Sequence, residues 1–190
     1  MRKLIHFVHV SVDGFIEGPN GQFDWPVLGP QLSAYSLELT SRADTFLYGR
    51  VVWEMMAGFW PRAESLSTDP HDLAFAPIWR KTSKIVFSTT LRNADWNTRV
   101  INGDLAGEVT ALKQQPGGDM VLFGGARLAA ALTRLGLIDE YHIVVHPVVL
   151  GGGTPLFLEP ENRINLQLIE SRTFDSQSVL LRYRPAQRAQ

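Results

Sequence analysis

The stretch Val121-Leu122-Phe123-Gly124-Gly125-Ala126-Arg127-Leu128 decides the reading of this chain. Apolar strand formers run into two glycines, and Ala126 to Leu132, directly after them, is rich in strong helix formers. A strand that ends in Gly-Gly and opens a helix turns free backbone N–H groups toward one point. With no side chain in the way, an anionic group approaches closely, and the helix dipole adds partial positive charge. Such a turn seats the pyrophosphate of a dinucleotide. The spacing is not G-x-G-x-x-G, so taken alone it equally describes a tight strand-to-helix turn.

Outward from this stretch, other strands end in similar chemistry. Asp44 to Tyr48 reads as a strand closed by Gly49-Arg50, and Lys84 to Ser88 as one ending in Ser88-Thr89-Thr90. Ligands of open α/β sheets bind beyond the carboxyl ends of strands. Arg50 is a permanent cation that grips phosphate with two donors, or else pairs with Glu54 one turn on. Ser88, Thr89 and Thr90 offer hydroxyls to a ribose or a 2′-phosphate, or simply start a loop. Several such termini in one chain favour a nucleotide-sized anion.

The remaining elements fit the same layer. Lys3 to Val10 is an apolar strand, and Glu17 to Gln22 is turn chemistry. Phe23-Asp24-Trp25-Pro26 puts aromatics in a loop, and Gly29-Pro30 opens a helix to about Arg42. Val51 to Ala57 is a short helix, Pro61 to Pro70 a polar loop, His71 to Trp79 helical, and Thr98 to Ile101 a short strand. Asp104 to Gln115 is a helix. Tyr141 to Val149 is a strand broken by Pro147, followed by Gly151-Gly152-Gly153-Thr154. Ile164 to Glu170 and Ser178 to Tyr183 close the chain as an antiparallel pair. The alternation predicts an α/β fold with one central sheet.

Bulk properties set bounds. The chain has 190 residues, 45% hydrophobic and 19% charged, the range of a globular domain, and reads as one domain over 1–190. Its formal net charge of -1 argues against nucleic-acid binding through bulk positive charge. With no cysteine, thiol catalysis, disulfides and zinc-thiolate sites are excluded, and a reducing cytoplasm is permitted. The N-terminus starts basic and turns apolar, but His6 and His9 interrupt it, so it reads as a first strand and not a signal peptide. No apolar run approaches the ~20 residues of a membrane span.

Several short segments, in this order, resemble a known family. They are Ser11-Val12-Asp13-Gly14-Phe15-Ile16, Phe23-Asp24-Trp25, Tyr48-Gly49-Arg50 with Trp53, Val86-Phe87-Ser88, Gly124 to Leu128, and His146-Pro147-Val148-Val149-Leu150-Gly151-Gly152-Gly153-Thr154-Pro155-Leu156-Phe157. Together they resemble the dihydrofolate reductase superfold, in the branch of the C-terminal reductase domain of bacterial bifunctional riboflavin-biosynthesis proteins. The resemblance implies a three-layer fold with a mixed, mostly parallel sheet and an antiparallel C-terminal hairpin. It implies an oxidoreductase, similar to 5-amino-6-(5-phosphoribosylamino)uracil reductase, that passes a hydride from NADPH to a small heterocyclic or carbonyl substrate. The alternative is a non-catalytic NADP-binding protein that kept the fold. A homodimer is also implied.

The resemblance assigns residues as well. Gly49, Arg50 and Val51 would meet the pyrophosphate and adenosine, and Ser88 and Thr89 the 2′-phosphate. Gly124, Gly125, Ala126, Arg127 and Leu128 would hold the pyrophosphate and shield the nicotinamide. Val10, Val12 and Ile16 would line the nicotinamide pocket. Asp13 is the candidate catalytic carboxylate, or else a turn cap on the Gly14-Phe15 amides. Trp25 and Thr154 are the candidate substrate contacts, and no metal site is expected. Folate-reducing relatives carry a carboxylate on the helix after the Trp loop. Pro26 to Leu32 holds none, so the resemblance points away from dihydrofolate. His6 and His9 point to opposite faces of their strand, and His142 and His146 share one with no evident carboxylate. All four read as core or sheet-face histidines, and His71 as a loop residue.

Overall fold

A computed structural model describes residues 1–158, 160, 162–175 and 177–186. The strands are β1 (Leu4–Ser11), β2 (Phe15–Glu17), β3 (Ala43–Gly49), β4 (Ser83–Phe87), β5 (Thr98–Ile101), β6 (Asp119–Gly124), β7 (Glu140–His146), β8 (Thr154–Pro155), β9 (Leu166–Phe174) and β10 (Ser178–Pro185). The α-helices are α1 (Pro30–Arg42), α2 (Arg50–Phe59), α3 (Ala63–Leu66), α4 (Pro70–Lys81), α5 (Leu105–Gln114) and α6 (Ala126–Arg134).

Eight strands form one sheet in the order β5-β4-β3-β6-β1-β7-β10-β9. The run from β5 to β7 is parallel, and β10 and β9 add an antiparallel hairpin. The mixed sheet and closing hairpin are as the sequence suggests. Because side chains alternate along a strand, the two faces of the sheet bury different clusters. On one face Leu4, Val8 and Val10 of β1 join Leu122, Ile143, Leu128 and Leu132, beneath α5 and α6. On the other, Phe7 joins Phe46, Tyr48, Val121 and Val144, beneath Leu32 of α1, Trp53 of α2 and Trp79 of α4.

Some boundaries differ from the reading above. The segment Pro61 to Pro70 is not all loop: a 3-10 turn spans Trp60–Arg62 and α3 follows. β7 stops at His146, since Pro147 has no N–H for the ladder. β9 runs on to Phe174, held by pairing with β10 that local composition does not reveal. The exit of β1 is not a plain loop. It forms β2, which pairs with β8 through Phe15↔Pro155 and Glu17↔Thr154. His71 lies in the first turn of α4 and is buried, so it is not a loop residue.

Candidate active site

The parallel strands β4, β3 and β6 are neighbours, so the three segments singled out at their ends share one edge of the sheet. Two helices start there: Gly49 is the N-cap of α2, Gly125 that of α6, and neither helix has a side-chain cap. Their first N–H groups are left to whatever occupies that edge. The chains also touch at this point. A β-carbon on Gly49 would lie 3.7 Å from Gly125 Cα. Gly124 and Gly125 have φ of 117° and 50°, a region that side-chain-bearing residues rarely adopt.

Arg50 and Arg127 stand in the first turns of these helices and are exposed. Arg50 Nη1 donates to both oxygens of Glu54 at 3.0 and 2.9 Å, the pairing that the i,i+4 spacing offered. Arg127 forms no ion pair among the described residues. Val51 is exposed, Ala126 opens α6, and Leu128 is buried in the core. At the end of β4, Ser88 Oγ accepts the amides of Leu91 at 2.9 Å and Thr90 at 3.2 Å, so it shapes its own loop, while Thr89 is exposed.

The exit of β1 lies between the ends of β6 and β7. Val10 is buried in the core, Val12 is 62% exposed, and Ile16 packs partly on the same core. Asp13 does not cap the amides of Gly14 and Phe15. Its carboxylate accepts the amides of Leu150 at 3.1 Å and Gly151 at 2.8 Å, and Ser11 Oγ takes the Phe15 amide instead. The Ser11 side chain, and then these amides, hold the Asp13 carboxyl below the usual carboxylate range. Thr154 Oγ1 donates to Glu17 Oε1 at 2.5 Å, which ties β8 to β2.

One cluster escaped the sequence. His9 Nδ1 and His146 Nε2 lie 2.8 Å apart. Phe23 stands against His9 with ring centroids 6.4 Å apart, and Trp25 against His146 at 5.6 Å. The Phe23–Trp25 loop thus closes over two histidines on the sheet. Burial pushes His9 down to about 3, helped by His146 and His71, and His146 down to about 4. Both rings are neutral at neutral pH. The signal existed, a histidine near the end of each of two strands, but it needed the register His9↔Val144 to become a pair. His142, in contrast, does have a carboxylate partner: its Nε2 is 2.9 Å from Glu140 Oε2, while Arg182 Nη2 donates to the same oxygen at 2.9 Å. Among the described residues no group of three or more His, Asp or Glu is arranged to hold a metal ion. No helix among them is long and apolar enough to cross a membrane.

Residues 2–180 match the family model of the RibD C-terminal domain. The chain belongs to this family. An uncharacterized relative, YyaP of Bacillus subtilis (strain 168), is 37% identical over 185 residues, covering 96% of this chain and 94% of the relative. A deaminase/5-amino-6-(5-phosphoribosylamino)uracil reductase of Thermotoga maritima superposes with a TM-score of 0.67 at 15% identity, over 97% of this chain and 57% of that one. Dihydrofolate reductase of Enterococcus faecalis, in complex with NADP(H), superposes with a TM-score of 0.64 at 14% identity, over 97% of both chains. At these identities the two structures are likenesses of fold. The RibD C-terminal domain fold is thus a dihydrofolate reductase-like α/β fold.

Proposed function

We propose that this RibD C-terminal domain protein is an NADPH-dependent reductase acting as one domain. The observation that carries the reading is the meeting of two uncapped helix N-termini at Gly49 and Gly125, at the same end of the sheet as the Phe23–Trp25 loop over His9 and His146. The fit is chemical: two sets of free N–H groups and two arginines suit a pyrophosphate. The E. faecalis reductase of the same fold, in complex with NADP(H), supports that choice of cofactor.

In this reading the amides after Gly49 and Gly125 hold the pyrophosphate, with Arg50 and Arg127 as counter-charges. Thr89 and the Ser88 loop receive the 2′-phosphate, which makes NADPH the preferred dinucleotide. Val12 and Ile16, at the exit of β1, border the nicotinamide. The cofactor supplies a hydride, and the protein supplies alignment. Phe23 and Trp25 wall the substrate side and exclude water. Asp13 braces Leu150 and Gly151 against the exit of β1 and so fixes the loops that border the substrate. Since Pro26 to Leu32 offers no carboxylate, the substrate is a small heterocycle or carbonyl compound other than dihydrofolate. The protein is cytoplasmic and a homodimer, and the exposed Leu168 and Ile169 on edge strand β9 suit the second role.

Titration with NADPH and NADH, followed by tryptophan quenching, tests the cofactor. A screen of NADPH oxidation against small carbonyl and heterocyclic compounds then tests turnover. Binding without oxidation by any of them would favour a nucleotide-binding protein without catalysis.

A further inference from the structure

We propose that His9 and His146 act together as the proton donor of the reduction, with His9 facing the substrate and His146 relaying the proton behind it. The inference rests on the reductase reading above.

Geometry carries it. β1 and β7 are parallel and adjacent, and His9 lies opposite Val144. His146, two residues on, shares its face and leans toward it, so Nδ1 of one ring meets Nε2 of the other at 2.8 Å. Among the described residues neither ring bonds any other side chain. The pair sits near the carboxyl ends of β1 and β7, under the Phe23–Trp25 loop. His146 is 2% exposed, while His9 is only partly covered, so His9 is the ring that a ligand can reach. Phe7 lies beside His9 at 5.3 Å between centroids, with Phe23 and Trp25 around the pair.

The surrounding charges leave the pair neutral. From α4 the only titratable ring turned toward it is His71, whose Nδ1 lies 2.9 Å from Ser33 Oγ of α1. From the loop come Phe23 and Trp25, whose indole N–H donates to Gln22 O. Asp13, past the end of β1, spends its carboxylate on the Leu150 and Gly151 amides. Among the described residues no carboxylate bonds either ring to stabilise an imidazolium, and burial disfavours one.

Two neutral imidazoles joined by one N–H···N bond have two tautomers. In the first, His146 Nε2–H donates to His9 Nδ1, and His9 Nε2 carries the other hydrogen. As a hydride forms the new C–H bond, the π pair of C=N or C=O moves onto the heteroatom. That atom takes the proton from His9 Nε2. The bridging proton passes from His146 Nε2 to His9 Nδ1, and His146 Nδ1 takes a proton from water, whose hydroxide leaves to solvent. Both rings end neutral in the second tautomer, and the sum is one hydride and one proton added across the double bond. Proton exchange with solvent restores the first tautomer before the next turnover. An anion freshly formed by hydride transfer is basic enough to draw this proton from a neutral ring. The dry aromatic setting therefore suits the relay, where it would oppose a charged acid.

Two probes and two variants test it. The probes are a cyclic imine, 3,4-dihydroisoquinoline, which needs a proton at nitrogen, and 2-methyl-1,4-naphthoquinone, whose hydroquinone anion does not. For His9→Gln and His146→Phe, imine reduction is expected to fall by about a hundredfold or more. NADPH quenching should stay within a few-fold of the parent, and naphthoquinone reduction should fall at least tenfold less than imine reduction. Independently of turnover, imidazole ¹⁵N spectra of the parent with NADPH should show both rings neutral at pH 6. They should also show a bridging hydrogen that either variant removes. Equal losses on both probes, no loss on either, or rings that titrate separately near the usual histidine value would overturn the relay. If the parent protein fails to bind NADPH, the reductase reading itself fails, and the relay with it.

Discussion

Gly49 and Gly125 meet backbone to backbone: a β-carbon built on Gly125 would sit 3.6 Å from Gly49 Cα. This contact sets α2 and α6 starting side by side, each contributing roughly half a positive charge at its first turn. It also separates two roles for the same residue type. Gly49 has an ordinary φ of -79°, whereas Gly125 has φ 50°. Gly49→Ala should therefore fold, at a cost of about 1 kcal/mol or less for the changed N-cap. Its methyl group would lie against Gly125 and Leu128, crowding the proposed phosphate seat, so NADPH affinity should drop about tenfold, roughly 1.4 kcal/mol. Gly125→Ala should cost about 1–3 kcal/mol of stability through backbone strain alone. Thermal melts and NADPH titrations on both variants check this. Unchanged affinity in a folded Gly49→Ala protein would remove the glycine contact from the cofactor site.

Arg50 is held by Glu54 on the surface of α2, with both side chains 44% exposed. An exposed pair of this kind adds at most about 1 kcal/mol. Arg50→Ala should thus leave the melting temperature almost unchanged while weakening NADPH several-fold. Glu54→Ala frees the guanidinium and should tighten NADPH slightly. If both variants bind as the parent does, Arg50 is a surface residue with no part in the site.

Much of this arrangement was legible locally. Glycine at the ends of β3 and β6, the Arg50–Glu54 spacing and the alternation of strands and helices need only short windows of sequence. What escaped depends on contacts distant in sequence. The pairing of β2 with β8 joins segments more than a hundred positions apart, and only the β1–β7 register turns His9 and His146 into neighbours. Asp13 shows the same limit: a carboxylate after a strand is visible, but its partners, the amides of Leu150 and Gly151, are not.

Acid should destabilise the protein through its histidines. Burial lowers His6 to about 4, His9 to about 3 and His146 to about 4, against an ordinary value near 6.5. In the unfolded chain these rings take up protons as pH falls below about 6.5, while in the native state they stay neutral until about pH 4. The unfolded state then binds more protons, so stability is full above about 6.5 and declines as pH falls through this window. Denaturant midpoints from pH 7 to 4.5 should decline accordingly. In His9→Gln the decline should be shallower by about one proton; an unchanged slope would contradict a His9 that stays neutral in the folded protein.

Lys84 has no exposed surface. Its ammonium donates to Thr82 O and Trp96 O, both at 2.8 Å, and lies 4.2 Å from the centre of the Trp79 ring. It ties the turn at Trp96-Asn97, where both residues have positive φ, to the start of β4. Lys84→Met keeps the length but drops the donors. It should cost about 2–3 kcal/mol, because carbonyls that accept from a charged group are left unsatisfied. Urea unfolding measures this. A loss within a few tenths of a kcal/mol would mean that water replaces the ammonium.

The cofactor claim is tested most directly by titrating the purified protein with NADPH and, separately, with NADH, while following tryptophan fluorescence. Trp53 on α2 and Trp25 against His146 are the expected reporters. Saturable quenching by NADPH, with clearly weaker binding of NADH, is the predicted result. The absence of binding by either nucleotide would contradict the account and leave a reductase-like fold whose ligand lies elsewhere.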